Sequence, residues 1–200
     1  MMNKPYLVGI TGGIGAGKSI VTEIFKLLNI PVYDADSQAK LLMVEDEQLA
    51  SSIKQKFGEM AYADGELNRQ YLAERVFSNA SETALLNSLV HPVVARDFAS
   101  WVRAQHAPYL IKEAALLFET GSYKELDTVI LVTAPLETRI ARTRQRDPQR
   151  SAQQIRNIIS KQIKEEEAIP LADEVIYNDG RQLVIPQVIQ LDSKIKRAIR

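Results

Sequence analysis

Apolar residues along the chain fall into two patterns, short unbroken runs and longer stretches repeating every three to four positions. "PYLVGI" (Pro5 to Ile10) is a run of the kind buried on both faces of a parallel sheet. Beyond a glycine-rich stretch, Ile20, Ile24, Leu27 and Leu28 recur at helical spacing, which predicts a helix opening near Lys18. "IPVYDAD" (Ile30 to Asp36) reads as a second strand ending in acids. Leu41, Val44, Leu49, Ile53 and Phe57 predict one or two helices between Ser37 and Phe57. "ADGEL" (Ala63 to Leu67) is turn-like, and helical patterns follow in "NRQYLAERVF" and from Ser81 to Gln105, where Pro92 is expected to kink or break the helix.

"YLIKEAALLF" (Tyr109 to Phe118) and the cleaner "DTVILVTA" (Asp127 to Ala134) are the next strand candidates. "LETRIARTRQRDPQR" and "SAQQIRNIISKQIKEEEAI" read as two polar helices joined at Asp147-Pro148. "DEVIYNDG" (Asp173 to Gly180) predicts a last strand and turn, and an amphipathic helix follows from Leu183. Strands alternating with helices imply an α/β fold, a parallel sheet with right-handed crossovers. The almost purely helical stretch from Ser37 to His106 reads as an insertion between the second and third strands. No internal repeat, low-complexity segment or flexible linker stands out.

Length and charge narrow the functions open to this pattern. The 200 residues suit one domain with a small insertion. Lys plus Arg and Asp plus Glu number 25 each, so there is no general charge for a polyanion, and any anion site must be built locally. The absence of cysteine excludes disulfides and thiolate metal sites and suits a reducing compartment. No apolar run approaches a membrane span. At the N-terminus, "MMNKPYLVGITGG" breaks its apolar run too early for a secretory leader. The expectation is a soluble, cytoplasmic protein.

The local anion site is legible in "GITGGIGAGKS", which holds five of the nine glycines. Gly12, Gly17, Lys18 and Ser19 match G-x-x-x-x-G-K-[ST] after a strand and before a helix. Glycine lets the backbone approach a ligand and adopt positive φ, so exposed N–H groups and the helix's positive end make an anion cradle. Lys18 supplies a point charge for the β- and γ-phosphates, and the Ser19 hydroxyl suits Mg²⁺ bridging them. Kinases, GTPases and motor-like ATPases all use such a loop.

Asp34 and Asp36 flank Ala35 at the expected end of the second strand, where alternation would put both on one side. An aspartate there would accept a hydroxyl proton from an acceptor or hold Mg²⁺ through water, unless it merely caps the following helix. Arg139, Arg142 and Arg146 fall on one helical face, with Arg144 turned away. Arginines brought over a nucleotide neutralise the charge of a transferring phosphoryl group. Arg142 and Arg146 are the functional candidates, Arg139 and Arg144 weaker ones, and the rival reading is a solvated helix paired with the acids of "KEEEA". His91 is a weaker candidate on its own, Trp101 reads as core packing, and "YNDG" as a turn.

With these residues in view, the chain resembles, almost end to end, the dephospho-coenzyme A kinase family, whose members catalyse the last step of coenzyme A biosynthesis. The resemblance rests on "GITGGIGAGKS", "VYDAD", "LVHP" (Leu89 to Pro92), "LLFE" (Leu116 to Glu119), "RTRQRD" (Arg142 to Asp147) and "ADEVIYNDG", in this order. It implies a single kinase domain over residues 1–200, with a P-loop NTPase-type parallel sheet flanked by helices. Residues 1–36, 107–138 and 169–200 would form the nucleotide-binding core, 37–106 the helical acceptor-substrate region and 139–168 the helical lid.

The implied reaction moves the ATP γ-phosphoryl to the ribose 3′-hydroxyl of dephospho-coenzyme A. By the resemblance, Asp36 would be the general base, Lys18 and Arg142 would stabilise the phosphoryl group, and Ser19 would ligate Mg²⁺. Gly13, Ile14, Gly15, Ala16, Gly17, Lys18, Ser19, Ile20, Arg142, Arg146 and Asn178 would bind ATP. Asp34, Asp36, His91, Leu117 and Glu119 would line the acceptor side. No nucleic acid or membrane partner is implied, and a monomer or weak homo-oligomer is expected. The chain departs from the family pattern at Ala115, where proline is common, and at Ile20, where threonine is usual. Another P-loop small-molecule or nucleoside monophosphate kinase would share core and lid but would not predict DAD and HP together. A GTPase would need an N-K-x-D element, which the sequence lacks.

Overall fold

A computed structural model describes residues 5–63 and 65–199. Met1–Lys4 of the N-terminal segment, Asp64 within the turn expected at "ADGEL", and Arg200 lie outside the described residues. The chain forms two compact units, one running to Asp34 and resuming at Gln105, the other Ala35–Ala104.

The first unit is built on five parallel strands, β1 (Tyr6–Thr11), β2 (Val32–Asp34), β5 (Tyr109–Glu113), β6 (Thr128–Thr133) and β7 (Glu174–Tyr177), in the order β2-β5-β1-β6-β7. β1 is central, with Ile10 opposite Glu113 on one side and Ile130 on the other. Its alternate residues serve two layers, as burial on both faces of a parallel sheet requires. Val8 and Ile10, with Ile130 and Val132 of β6, pack with Val21 and Phe25 of α1 (Lys18–Leu27) and Val188, Leu191 and Ile195 of α9 (Val184–Ala198). On the other face, Val129 and Leu131 pack with Phe118 and Ala168. Within the first layer, the wholly buried Tyr109 hydroxyl donates to Asp192 Oδ1 at 2.8 Å, and Lys196 pairs with that carboxylate at 2.9 Å.

The second unit carries α2 (Ala35–Glu45), α3 (Glu47–Phe57), α4 (Arg69–Ser78) and α5 (Ala80–Arg103). Asp46 separates the first two because its carboxylate caps α3, accepting from Leu49 N at 2.8 Å. The unit is not purely helical. β3 (Tyr62–Ala63) and β4 (Glu66–Leu67) pair antiparallel.

Three further expectations change. The helix expected to kink or break at Pro92 does not break there and continues as one element of 24 residues. Proline removes one ladder bond, and the long helical stretches on both sides carry the element through it. The expected strand Ile30–Asp36 shortens to β2, so Ala35 opens α2 and Asp36 sits in a first helical turn rather than alternating with Asp34 on an extended chain. A carboxylate there meets the positive end of the helix dipole. The polar stretch after Pro148 divides into α7 (Ala152–Ile159) and α8 (Glu165–Ala168), both after α6 (Leu136–Arg146). Ser151 and Gln154 close a reciprocal capping box at the start of α7.

Candidate active site

The glycine-rich loop joins the end of β1 to α1, at the carboxyl edge of the sheet where ligands of open α/β folds bind. Its backbone permits no side chain at two critical points. Gly12 has φ +147°, and a Cβ there would lie 2.2 Å from the Val132 carbonyl oxygen of β6. Gly17 has φ +98° at the N-cap of α1, and a Cβ would lie 2.1 Å from Asn178 Nδ2. Ala16 N–H donates to the Gly13 carbonyl at 3.1 Å, which curls the loop. Lys18 Nζ reaches back to the Gly12 carbonyl at 3.1 Å, so the ammonium lies along the loop. Ser19 opens the helix on its exposed side, with Ile20 beside it 52% exposed.

Asn178, immediately after β7, is buried and fully engaged. Its N–H donates to the Thr133 carbonyl at 2.8 Å and its Nδ2 to the Ala16 carbonyl at 2.9 Å. Arg142 Nη1 donates to its carbonyl at 3.1 Å and Nη2 to its Oδ1 at 3.2 Å. Asn178 thus ties the loop, β6 and the arginine helix α6 together. The three arginines expected on one helical face have different surroundings: Arg142 reaches Asn178, Arg139, the weaker candidate, reaches the loop at Ile14, and Arg146 lies exposed in the last turn of α6. Burial holds the Arg139 guanidinium below the usual arginine pKa range, with Glu165 opposing.

Residues expected on the acceptor side occupy both units. In the first, Asp34 ends β2 opposite Glu113, Leu117 is fully buried, and Glu119 Oε1 accepts from Ile163 N at 3.0 Å. In the second, Asp36 lies in the first turn of α2 and His91 within α5. At the two departures from the resemblance, the Ala115 carbonyl accepts from Thr11 Oγ1 at 3.5 Å and Ile20 has no polar group to offer.

Two residues near the loop escaped the reading of the sequence. Gln162 accepts from Ile14 N–H at 3.0 Å; an uncharged residue in a polar stretch carries no signal of such a contact. Glu113, at the carboxyl end of β5, accepts from Thr22 Oγ1 of α1 at 3.4 Å; its place as the acid closing a strand beside β1 was the available clue. Among the described residues no cluster of three or more acids or histidines suits a metal ion. The donor set, one hydroxyl at Ser19 with the Asp34 and Glu113 carboxylates at neighbouring strand ends, fits Mg²⁺ that arrives on phosphate oxygens rather than in a protein cage.

Comparison with known proteins agrees with this geometry. Residues 6–183 match the family model described as dephospho-CoA kinase. A dephospho-CoA kinase from Bacteroides fragilis is 35% identical over 185 residues, 92% of this chain and 90% of that protein. A crystal structure from Thermus thermophilus superposes with a TM-score of 0.87 at 32% identity, covering 96% of this chain and 98% of the other. The dephospho-CoA kinase structure from Campylobacter jejuni gives 0.69 at 25% identity, over 97% and 98% of the two chains. A phosphate loop braced by Asn178, an arginine helix beside it and a match spanning nearly the whole sequence lead to one conclusion: the chain belongs to the dephospho-CoA kinase family.

Proposed function

We propose that this protein transfers the γ-phosphoryl group of ATP to the ribose 3′-hydroxyl of dephospho-coenzyme A, yielding coenzyme A and ADP. What supports the reading above all is the phosphate loop, held open by Gly12 and Gly17 and braced by Asn178, in a chain that matches the family from residue 6 to 183. Backbone N–H groups of the loop other than those of Ile14 and Ala16, which are engaged within the protein, and the first turn of α1 hold the β- and γ-phosphates, and Lys18 adds its charge. Arg142, oriented by Asn178, faces the charge that develops on the transferring group, and Arg146 joins it from the lid, residues 139–168. The Ser19 hydroxyl would hold Mg²⁺ together with the nucleotide, and the ion would supply neutralisation of phosphate charge there.

Asp36 accepts the 3′-hydroxyl proton, so that the oxygen attacks the γ-phosphorus in line as the bond to the β–γ bridging oxygen breaks and ADP leaves. Asp34, His91, Leu117 and Glu119 serve the acceptor side. The α6–α8 segment excludes water, which suppresses idle hydrolysis. Its work is on small molecules in the cytoplasm, as a monomer or weak homo-oligomer.

The test is ADP release from Mg-ATP with dephospho-coenzyme A, with AMP, and with no acceptor. Release that depends on dephospho-coenzyme A, with coenzyme A formed, is the expected result. Release with AMP alone would replace the acceptor assignment, and equal release without acceptor would overturn the mechanism.

A further inference from the structure

The crest of the phosphate loop carries a closed ring of hydrogen bonds. Arg139 Nε donates to the Ile14 carbonyl at 2.9 Å, Arg139 Nη2 donates to Gln162 Oε1 at 3.1 Å, and the same Oε1 accepts from Ile14 N–H at 3.0 Å. Both polar groups of Ile14 are therefore gripped, one by α6 and one by the segment after α7. The guanidinium lies against the face of Gly13, where a Cβ would stand 1.9 Å from Nη2 and 3.0 Å from Gln162 Oε1. Glycine at that position makes room for the arginine.

The charge in this ring is unbalanced. Arg139 is half-buried, both of its acceptors are neutral amide oxygens, and among the described residues no carboxylate forms an ion pair with it. Desolvation acts on the guanidinium more strongly than the more distant Glu165 compensates. A half-buried cation whose desolvation Glu165 offsets only in part gains when an anion arrives. The guanidinium has five N–H groups, and the ring employs two of its nitrogens, which leaves donors for phosphate oxygens. Gln162 holds the long side chain in place beforehand, so little rotamer freedom is lost on binding.

We propose that Arg139 is a phosphate-binding cation of this kinase, in addition to Lys18, and that Gln162 is the residue that positions it. The anion is the polyphosphate of the nucleotide, so the proposal rests on the loop binding ATP but not on which acceptor is phosphorylated. Gln162 touches the protein and not the ligand, and acts through Arg139.

Calorimetric titration of ATP, inorganic tripolyphosphate and adenosine, each with Mg²⁺, into wild type, Arg139→Gln, Arg139→Lys, Gln162→Ala and the Arg139→Gln/Gln162→Ala double variant tests this. Arg139→Gln should weaken ATP and tripolyphosphate by about ten- to a hundredfold, the worth of a charge-assisted contact, and leave adenosine unchanged. Arg139→Lys should fall between, since it keeps the charge without the fork. Gln162→Ala should lose several-fold, and the double variant should bind no worse than Arg139→Gln alone. Unchanged polyphosphate affinity in both Arg139 variants, or an equal loss for adenosine and ATP, would overturn the role of Arg139. Additive losses in the double variant would overturn the positioning role of Gln162. These titrations contain no acceptor, so their failure is distinct from failure of the kinase assignment, which ADP release reports.

Discussion

Asn178 is where nucleotide site and fold stability depend on the same atoms, which makes Asn178→Ala informative. The truncation strips the Ala16 carbonyl of its 2.9 Å donor, and Ala16 is only 1% exposed, so water has little access to replace it. A buried acceptor left unsatisfied costs about 1–3 kcal/mol. Arg142 loses its bond to Oδ1 but keeps the one to the Asn178 carbonyl, and its partial exposure lets water take the vacated donor. A net loss of about 2 kcal/mol, converted at roughly 2–4 °C per kcal/mol for a chain of this length, lowers the melting temperature by about 4–8 °C. ATP binding should weaken as well, because the Ala16–Gly17 peptide that leads into α1 is no longer tethered. Asn178→Asp provides the contrast: it keeps the shape and an acceptor for Arg142, but at neutral pH has no proton to donate to Ala16. Both variants should therefore destabilise, and Asp should weaken ATP further by placing a negative charge beside the loop. Thermal unfolding with and without saturating Mg-ATP measures both effects. A melting temperature for Asn178→Ala within about 1 °C of wild type would refute the anchor.

Replacing Gly12 by Ala should abolish measurable ATP binding, since the new methyl meets the Val132 backbone at 2.2 Å, whereas Gly121→Ala, with nothing within 4 Å, should cost only about 1 kcal/mol from its positive φ and leave ATP affinity intact. Equal effects of the two in titration would refute the steric argument. Asp36→Asn should reduce acceptor-dependent ADP release by about 10²- to 10⁴-fold while ATP affinity holds, and near-full turnover would remove Asp36 as the base. For Tyr109, burial first and the bond to Asp192 second push the phenol pKa up, so the folded state favours the neutral form. Its contribution is complete below about pH 10 and falls by about 1.4 kcal/mol per unit as pH rises beyond that toward the folded-state pKa. Tyr109→Phe should thus be less stable than wild type at pH 7, with the gap closing above pH 10 in denaturant titrations; a constant gap would contradict it.

Local pattern alone determined a good deal here. β1 and β6 are unbroken apolar runs because both faces of a central parallel strand are buried, and that requirement is written residue by residue. The phosphate loop was legible because only glycine tolerates the positive φ at positions 12 and 17 and the approach of Val132 and Asn178. Helix starts at Lys18 and near Val184 followed from spacing for the same local reason. Tertiary structure decided what depends on partners far apart in the chain. Helical spacing put Arg139, Arg142 and Arg146 on one face, and the sequence favoured Arg142 and Arg146 over Arg139. Their neighbours make them different, a loop carbonyl 125 residues away for one and an asparagine 36 residues away for another. Gln162 meets Ile14 across 148 residues, and no periodicity reports a contact of that separation. The passage of α5 through Pro92 and the early start of α2 at Ala35 show the same limit, because a residue's preference is weak against the summed bonding of the helix around it. The chemistry of the loop was therefore set by residue types in sequence, and the placing of the cations around it by packing.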